Sequence, residues 1–169
     1  GQSLQCNELE KGYFNSGVLL INTLAWAQES VSAKAMSMLA DKAIVSHLTY
    51  MDQDILNLIL LGKVKFIDAK YNTQFSLNYE LKKSFVCPIN DETVLIHYVG
   101  PTKPWHYWAG YPSAQPFIKA KEASPWKNEP LMRPVNSNYA RYCAKHNFKQ
   151  NKPINGIMNY IYYFYLKII

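Results

Sequence analysis

Apolar positions along the chain fall into short continuous runs alternating with longer stretches of helical spacing. Residues 18–21 form one such run, bounded by the turn-forming Asn15-Ser16-Gly17 and by Asn22-Thr23, and read as a short buried strand entered from a loop. Asn22 or Thr23 then caps a helix that the pattern continues through AWAQESVSAKAMSMLADKA. In MDQDILNLILLGKVKFID a second helix is expected to begin near Asp52, to close at Gly62, and to be followed by a strand at residues 64–67. KYNTQFSLNYELKKSF mixes turn formers with scattered aromatics and reads as a structured loop, whereas TVLIHYVG reads as a third strand. From Pro112 to Pro134 recurring prolines mark a connector with one short helix near residues 117–123. Two helices complete the chain, one starting at Asn136 or Ser137 and one with Pro153 in the first-turn position that proline favours. The alternation predicts an α/β chain up to about residue 115 and a helical appendage after it.

At 169 residues the chain is long enough for a core of its own and short for two full domains. Three widely spaced cysteines, Cys6, Cys87 and Cys143, form no C-x-x-C pair and no dense framework, which points to a reducing cytoplasm. The chain contains no run of eighteen apolar residues and no signal-like start, so no membrane span and no export are expected. A formal charge of +6 conceals an asymmetry: nine Lys/Arg stand against ten Asp/Glu in residues 1–115, and nine against two in residues 116–169. A polyanionic partner would meet the last third. No nucleic-acid-binding motif accompanies that charge, so nucleic acid is not expected as a partner.

The final helix narrows the choice. Ile154, Ile157, Met158, Ile161, Phe164, Tyr165 and Ile168 recur at three- and four-residue steps and form one apolar face flanked by tyrosines. About 17 residues broken by Asn155, Asn159 and Lys167 make a poor span but a suitable interfacial helix. With Lys145, Lys149 and Lys152 just upstream, residues 145–169 are expected on an anionic membrane surface. The competing reading packs this helix back onto the sheet.

Candidate chemistry stands at three places, each with an ordinary alternative. Asp52, Gln53 and Asp54 sit at a helix start, where carboxylates are favoured by unpaired N–H groups; successive side chains there lie about 100° apart, which argues against a shared metal pair. His97 ends a strand and is followed by Gly100, Lys103 and a rigid aromatic turn, a pattern that suits either a hydrogen-bonded core histidine or a metal and phosphate site. Asn15 and Ser16 are turn residues by default.

Taken in order and at their separations, YFNSGVLLIN, DQDILN and IHYVGPTKPW resemble glycosyltransferase family 8, the retaining nucleotide-sugar enzymes of GT-A fold, over nearly the whole chain. The stretch from SPWKNEPLMRP onward resembles the C-terminal extension of the lipopolysaccharide-core glucosyl- and galactosyltransferases of that family. The resemblance implies the C-terminal half of a GT-A fold in residues 1–115 and a basic helical extension in residues 116–169. It implies that His97 ligates manganese or magnesium, that Gly100 and Lys103 contact the donor diphosphate, and that Asn15 and Ser16 line the nucleotide-sugar cleft. Asp52 would bond hydroxyls of the donor sugar, and Gln53 would lie beneath its anomeric carbon and stabilise an oxocarbenium-like state. Asp54 joins these two as a catalytic candidate, and Tyr50 stands on the acceptor side. The family's own D-x-D metal pair has no counterpart here, so the other metal ligands are expected from a missing N-terminal half and the 169 residues alone are expected to be inactive.

The reaction so implied moves glucose or galactose from a UDP-hexose to the lipopolysaccharide core with retention, at the cytoplasmic face of the bacterial inner membrane. An amide is a poor nucleophile, which favours same-face attack over a double displacement. The competing class is non-catalytic: a truncated relic or a module that binds membrane or glycan.

Overall fold

The computed structural model describes Leu9 and residues 12–168, in two compact units, Gly1–Ala69 and Lys70–Ile169. The first is helical. Asn22 caps α1 (Thr23–Gln28), its side chain accepting from the Ala25 amide at 3.1 Å. The single helix expected after it is broken into α1, α2 (Val31–Ala40) and α3 (Lys42–Val45). Ser30, at φ 52°, lies in the left-handed region and ends the first segment. Asp41 is extended at ψ 108° and uses its carboxylate to restart the chain, accepting from Ala43 N–H at 2.8 Å. At Asp41 local side-chain capping thus outcompetes the apolar period.

Helix α4 (Met51–Ile59) begins where the acidic cluster predicted, and Gly62 takes φ +74° in the turn beyond it. Residues 18–21 and 64–67 are not strands. A strand needs a neighbour for its N–H and C=O groups, and neither segment has one among the described residues. Most of their apolar side chains are exposed accordingly, Leu20 to 93% and Phe66 to 59%, while Val18 and Val64 are half-buried.

The second unit holds a small parallel sheet. β1 (Thr73–Phe75) pairs with β2 (Ile96–Tyr98) in the register Thr73↔Ile96, Gln74↔His97 and Phe75↔Tyr98. β1 lies in the stretch expected to be loop, because three residues are too short to display alternation. Conversely β2 is shorter than TVLIHYVG suggested, and Val94 is exposed. Phe75, Leu77, Ala109, Tyr111 and Ala114 form the core, with Ile89 and Tyr98 packed against it.

Helix α5 (Gln115–Glu122) begins ahead of the expected residue 117, whereas α6 (Ser137–Lys149), with Asn136 accepting from Tyr139 N–H at 2.9 Å, and α7 (Pro153–Ile168) start where the sequence placed them. His146 ties α6 to the core. Its Nδ1 faces the Tyr111 hydroxyl at 2.7 Å, and its Nε2 faces Asn78 Oδ1 and Thr102 Oγ1, both at 3.1 Å. Burial, helped by His106 and Lys145, pushes its pKa down to about 4, so this histidine is neutral in the native protein.

Helix α7 lies on α6 through a narrow strip. Gly156 is buried, and Asn159, Tyr160, Tyr163 and Leu166 are half-buried. The predicted apolar face points elsewhere: Ile154, Ile157, Met158, Ile161, Phe164, Tyr165 and Ile168 are each more than half exposed. No helix among the described residues is long and apolar enough to cross a membrane.

Candidate functional site

Most of the sequence-selected polar residues of the first unit meet in one cluster at the start of α4. Asn57, one turn along the helix from Gln53, grips the backbone of Phe14 at both ends: Phe14 N–H donates to its Oδ1 and its Nδ2 donates to the Phe14 carbonyl, each at 2.8 Å. Asn57 is buried, so this clamp is shielded from water and holds residues 13–16 against the first turn of α4.

Gln53 lies at the centre of the cluster so formed. Its Oε1 accepts from Asn15 Nδ2 at 3.0 Å and from the Ser16 amide at 3.1 Å, while its Nε2 donates to the Tyr13 hydroxyl at 2.9 Å. Asp52 is exposed and accepts from Ser16 Oγ at 3.2 Å. Asp54 is buried and fully engaged, Oδ1 accepting from Tyr13 O–H at 2.5 Å and Oδ2 from the Thr49 and Tyr50 amides at 2.7 Å each. Burial alone would raise its pKa, but the donors from Tyr13, Tyr50 and Thr49 outweigh that and hold it below the ordinary value. Asp54 therefore caps α4 and anchors Tyr13. Tyr13 is pushed up to about 12, first by desolvation and then by its bond to Asp54. The Tyr50 side chain is 63% exposed and provides no side-chain cap.

Sequence reasoning missed Tyr13 and Asn57. For Tyr13 a signal existed: two residues before Asn15 in extended chain, it shares the same side.

The second unit carries the other candidates. His97 is half-buried at the centre of β2, and its Nδ1 lies 3.0 Å from Asn72 Oδ1. A carboxamide oxygen only accepts, so Nδ1 carries the proton and Nε2 keeps its lone pair. Desolvation, with a smaller push from Lys103, lowers its pKa. A neutral imidazole with a bare Nε2 fits a metal ion, although no group of three His, Cys, Asp or Glu side chains able to hold one is assembled among the described residues. Gly100 has φ +81°, and a Cβ there would stand 2.8 Å from Ser76 Oγ, so the backbone itself demands glycine. Lys103 reaches back over the turn and donates from Nζ to the Tyr98 carbonyl at 2.6 Å. That bond uses one of its three donors at the end of β2.

Of the tryptophans that follow, Trp108 is buried beside His106, with centroids 4.2 Å apart, and Trp105 is partly exposed with Lys103 Nζ 5.9 Å from its ring centroid.

The model for glycosyl transferase family 8 matches residues 1–109, and the model for the C-terminal region of glycosyl transferase family 8 matches residues 111–167. The chain is 54% identical over 167 residues to the lipopolysaccharide glucosyltransferase WaaO of Escherichia coli K12, a match covering 98% of this chain and 49% of the relative. It is 50% identical to a lipopolysaccharide 1,3-galactosyltransferase of Salmonella typhimurium LT2, with 99% and 50% covered, and 40% identical to a lipopolysaccharide 1,2-glucosyltransferase of Escherichia coli, with 96% and 49% covered. The chain thus spans about half the length of the curated relatives it matches. No solved structure matches it significantly.

Proposed function

The chain belongs to glycosyltransferase family 8, and from that membership we propose that it carries the donor-sugar and diphosphate parts of a retaining hexosyltransferase. In this reading glucose or galactose passes from UDP to the lipopolysaccharide core, and residues 1–115 form part of a GT-A catalytic domain. The observation that carries the proposal is the convergence of Asn15, Ser16, Asp52 and Gln53, which are bonded to one another across 36 to 38 residues of chain. That much polarity at the surface, ordered by a buried Asn57 and Asp54, is what a hydroxyl-rich ligand requires.

The reaction transfers a sugar from a diphosphate leaving group, and negative charge grows on that group as the glycosidic bond breaks. In this reading Lys103, whose Nζ bonds the Tyr98 carbonyl at the end of β2, offers that group a positive charge. His97 is the residue of this chain suited to hold manganese or magnesium, which when bound would neutralise the same diphosphate. Gly100 allows the sharp turn between the two. Asp52, exposed and accepting, takes hydrogen bonds from sugar hydroxyls. A double displacement needs a free carboxylate under the ring; both oxygens of Asp54 are already engaged, and with Asp52, the carboxylate left with a free oxygen, given to the sugar hydroxyls, same-face attack is favoured.

The basic end of the protein would place the enzyme on its acceptor. The α7 face is apolar and exposed, and residues 116–169 carry nine Lys/Arg against two Asp/Glu, a charge complementary to anionic lipid. We assign this face to the cytoplasmic leaflet of the inner membrane. The functional test is UDP-hexose titration with and without manganese: saturable binding weakened by Asp52→Asn supports the donor site, and binding indifferent to that change opposes it.

A further inference from the structure

Lys103 reaches the surface from residues 100–105, a stretch that belongs to no helix or strand, so its position depends on what grips that stretch from behind. Burial alternates along it. Thr102, Pro104 and His106 are buried, and Lys103 stands half-buried between them. His106 binds Lys103 twice: its Nδ1 accepts from the Lys103 amide at 3.1 Å, and its own backbone N–H donates to the Lys103 carbonyl at 3.0 Å. Thr102 is held from the other side, its Oγ1 lying 3.1 Å from His146 Nε2.

Both imidazoles are fixed by α6. His146 is part of that helix, and the His106 ring packs on Tyr139 with centroids 4.9 Å apart. Tyr139 and His146 are about two helical turns apart and so share one face. The bonds of His146 have a fixed sense. Asn78 Oδ1 only accepts, so the neutral imidazole carries its proton on Nε2 and shares it between Asn78 and Thr102 Oγ1. Nδ1 then accepts from the Tyr111 hydroxyl at 2.7 Å. One buried side chain of α6 thus ties Thr102, the neighbour of Lys103, to Asn78 and to Tyr111 of the core.

From this we propose that α6 belongs to the transfer machinery: His146, acting through Thr102, is a positioning residue that sets where the Lys103 ammonium stands. The C-terminal region in which α6 lies then has a part in the reaction that is separate from any membrane contact of α7. The proposal rests on the reading of Lys103 as the diphosphate contact, whereas the anchoring of the loop belongs to the free protein. Placement governs what a charge is worth to a transition state, and a shift of about 1 Å can cost about a hundredfold in rate.

Two measurements separate those parts. In the 169-residue chain, Thr102→Val and His146→Asn each remove the bond, and hydrogen exchange at the Lys103 amide should speed about tenfold relative to the amides of α6. In Gly156→Ala, which strains α6 at Phe148 and away from the loop, that ratio should hold. A ratio unchanged in both Thr102→Val and His146→Asn overturns the anchoring and the proposal with it. The second measurement follows sugar transfer from a UDP-hexose after the chain replaces its counterpart in a full-length relative. Thr102→Val should lower kcat about ten- to hundredfold, and in a Lys103→Ala background the same change should cost less than about twofold. His146→Gln, whose amide N–H falls where Nε2–H was, should keep most of the rate that His146→Asn loses. Equal losses from Thr102→Val with and without Lys103 overturn the positioning role and leave α6 a merely structural helix. If exchange responds as expected while Lys103→Ala leaves transfer unchanged, the diphosphate reading falls, the positioning role falls with it, and only the anchoring of the loop stands.

Discussion

Gly156 sits in the first turns of α7 with ordinary helical backbone, and on propensity alone alanine there should stabilise the protein by about 1 kcal/mol. The packing reverses that sign. A Cβ at Gly156 would lie 2.6 Å from Phe148 Cε2, 2.7 Å from Cδ2 and 2.9 Å from Cζ. Carbon atoms rest at roughly 3.5–4.0 Å, so the ring must move by about 1 Å. It is not free to do so without loss, since it packs against Tyr160 with centroids 5.9 Å apart. Overpacking of this kind costs about 1–3 kcal/mol, and Gly156→Ala should therefore destabilise by about 1–2 kcal/mol after the propensity gain. Phe148 is 42% exposed, so Phe148→Ala costs less than removal of a buried ring. In that background Gly156→Ala should turn stabilising by up to about 1 kcal/mol. Urea unfolding followed by circular dichroism, with amide exchange in α6 and α7 to locate the change, measures all four proteins. A more stable Gly156→Ala protein with Phe148 intact would refute the close helix contact, and with it the arrangement that turns the apolar face of α7 outward.

Other predictions concern charge, turn and surface. His106 and His146 are both buried with pKa values pushed to about 4 by desolvation; the unfolded chain binds their protons first, so stability should fall as pH drops from about 6.5 towards 4, by up to about 1.4 kcal/mol per pH unit for each, and a urea midpoint unchanged between pH 7 and pH 5 would contradict it. Gly100→Ala combines φ +81° with a 2.8 Å approach to Ser76 Oγ and should destabilise by about 1–3 kcal/mol, with Ser76→Gly giving partial relief in thermal melts. Ile161, 64% exposed, should contribute about 1–2 kcal/mol on entering a bilayer, so Ile161→Ser should weaken sedimentation with anionic vesicles about five- to thirtyfold. Raised salt should weaken it further; binding independent of salt and of Ile161, or an oligomer that hides α7, would count against the membrane reading.

Much of the site was legible because it is written locally. Asp52 and Asp54 announce a helix start whatever surrounds them, and Asn22, Asn136 and Pro153 mark helix starts through groups bonded within a few residues. Roles were harder than positions. Asp52 and Asp54 look alike in sequence, yet one is exposed and the other buried under three donors. The local amides of Thr49 and Tyr50 and the return of residues 13–16 to α4, a contact across some forty residues, together separate them. The misses share a cause as well: residues 18–21 and 64–67 have strand-like composition, but strand pairing is non-local, and Ser30 and Asp41 break a helix by backbone conformations that no apolar period records.

A chimera tests whether Asn15, Ser16, Asp52, Gln53, Gly100, Lys103 and His97 serve sugar transfer. The 169 residues replace the segment they match in the Escherichia coli relative, which is 54% identical, and transfer from UDP-glucose or UDP-galactose to lipopolysaccharide core is followed with manganese present. The account predicts metal-dependent transfer that Asp52→Asn and His97→Ala each lower by orders of magnitude without unfolding the protein. A folded chimera that transfers no sugar, or one whose rate ignores both substitutions, would contradict it and favour a non-catalytic module.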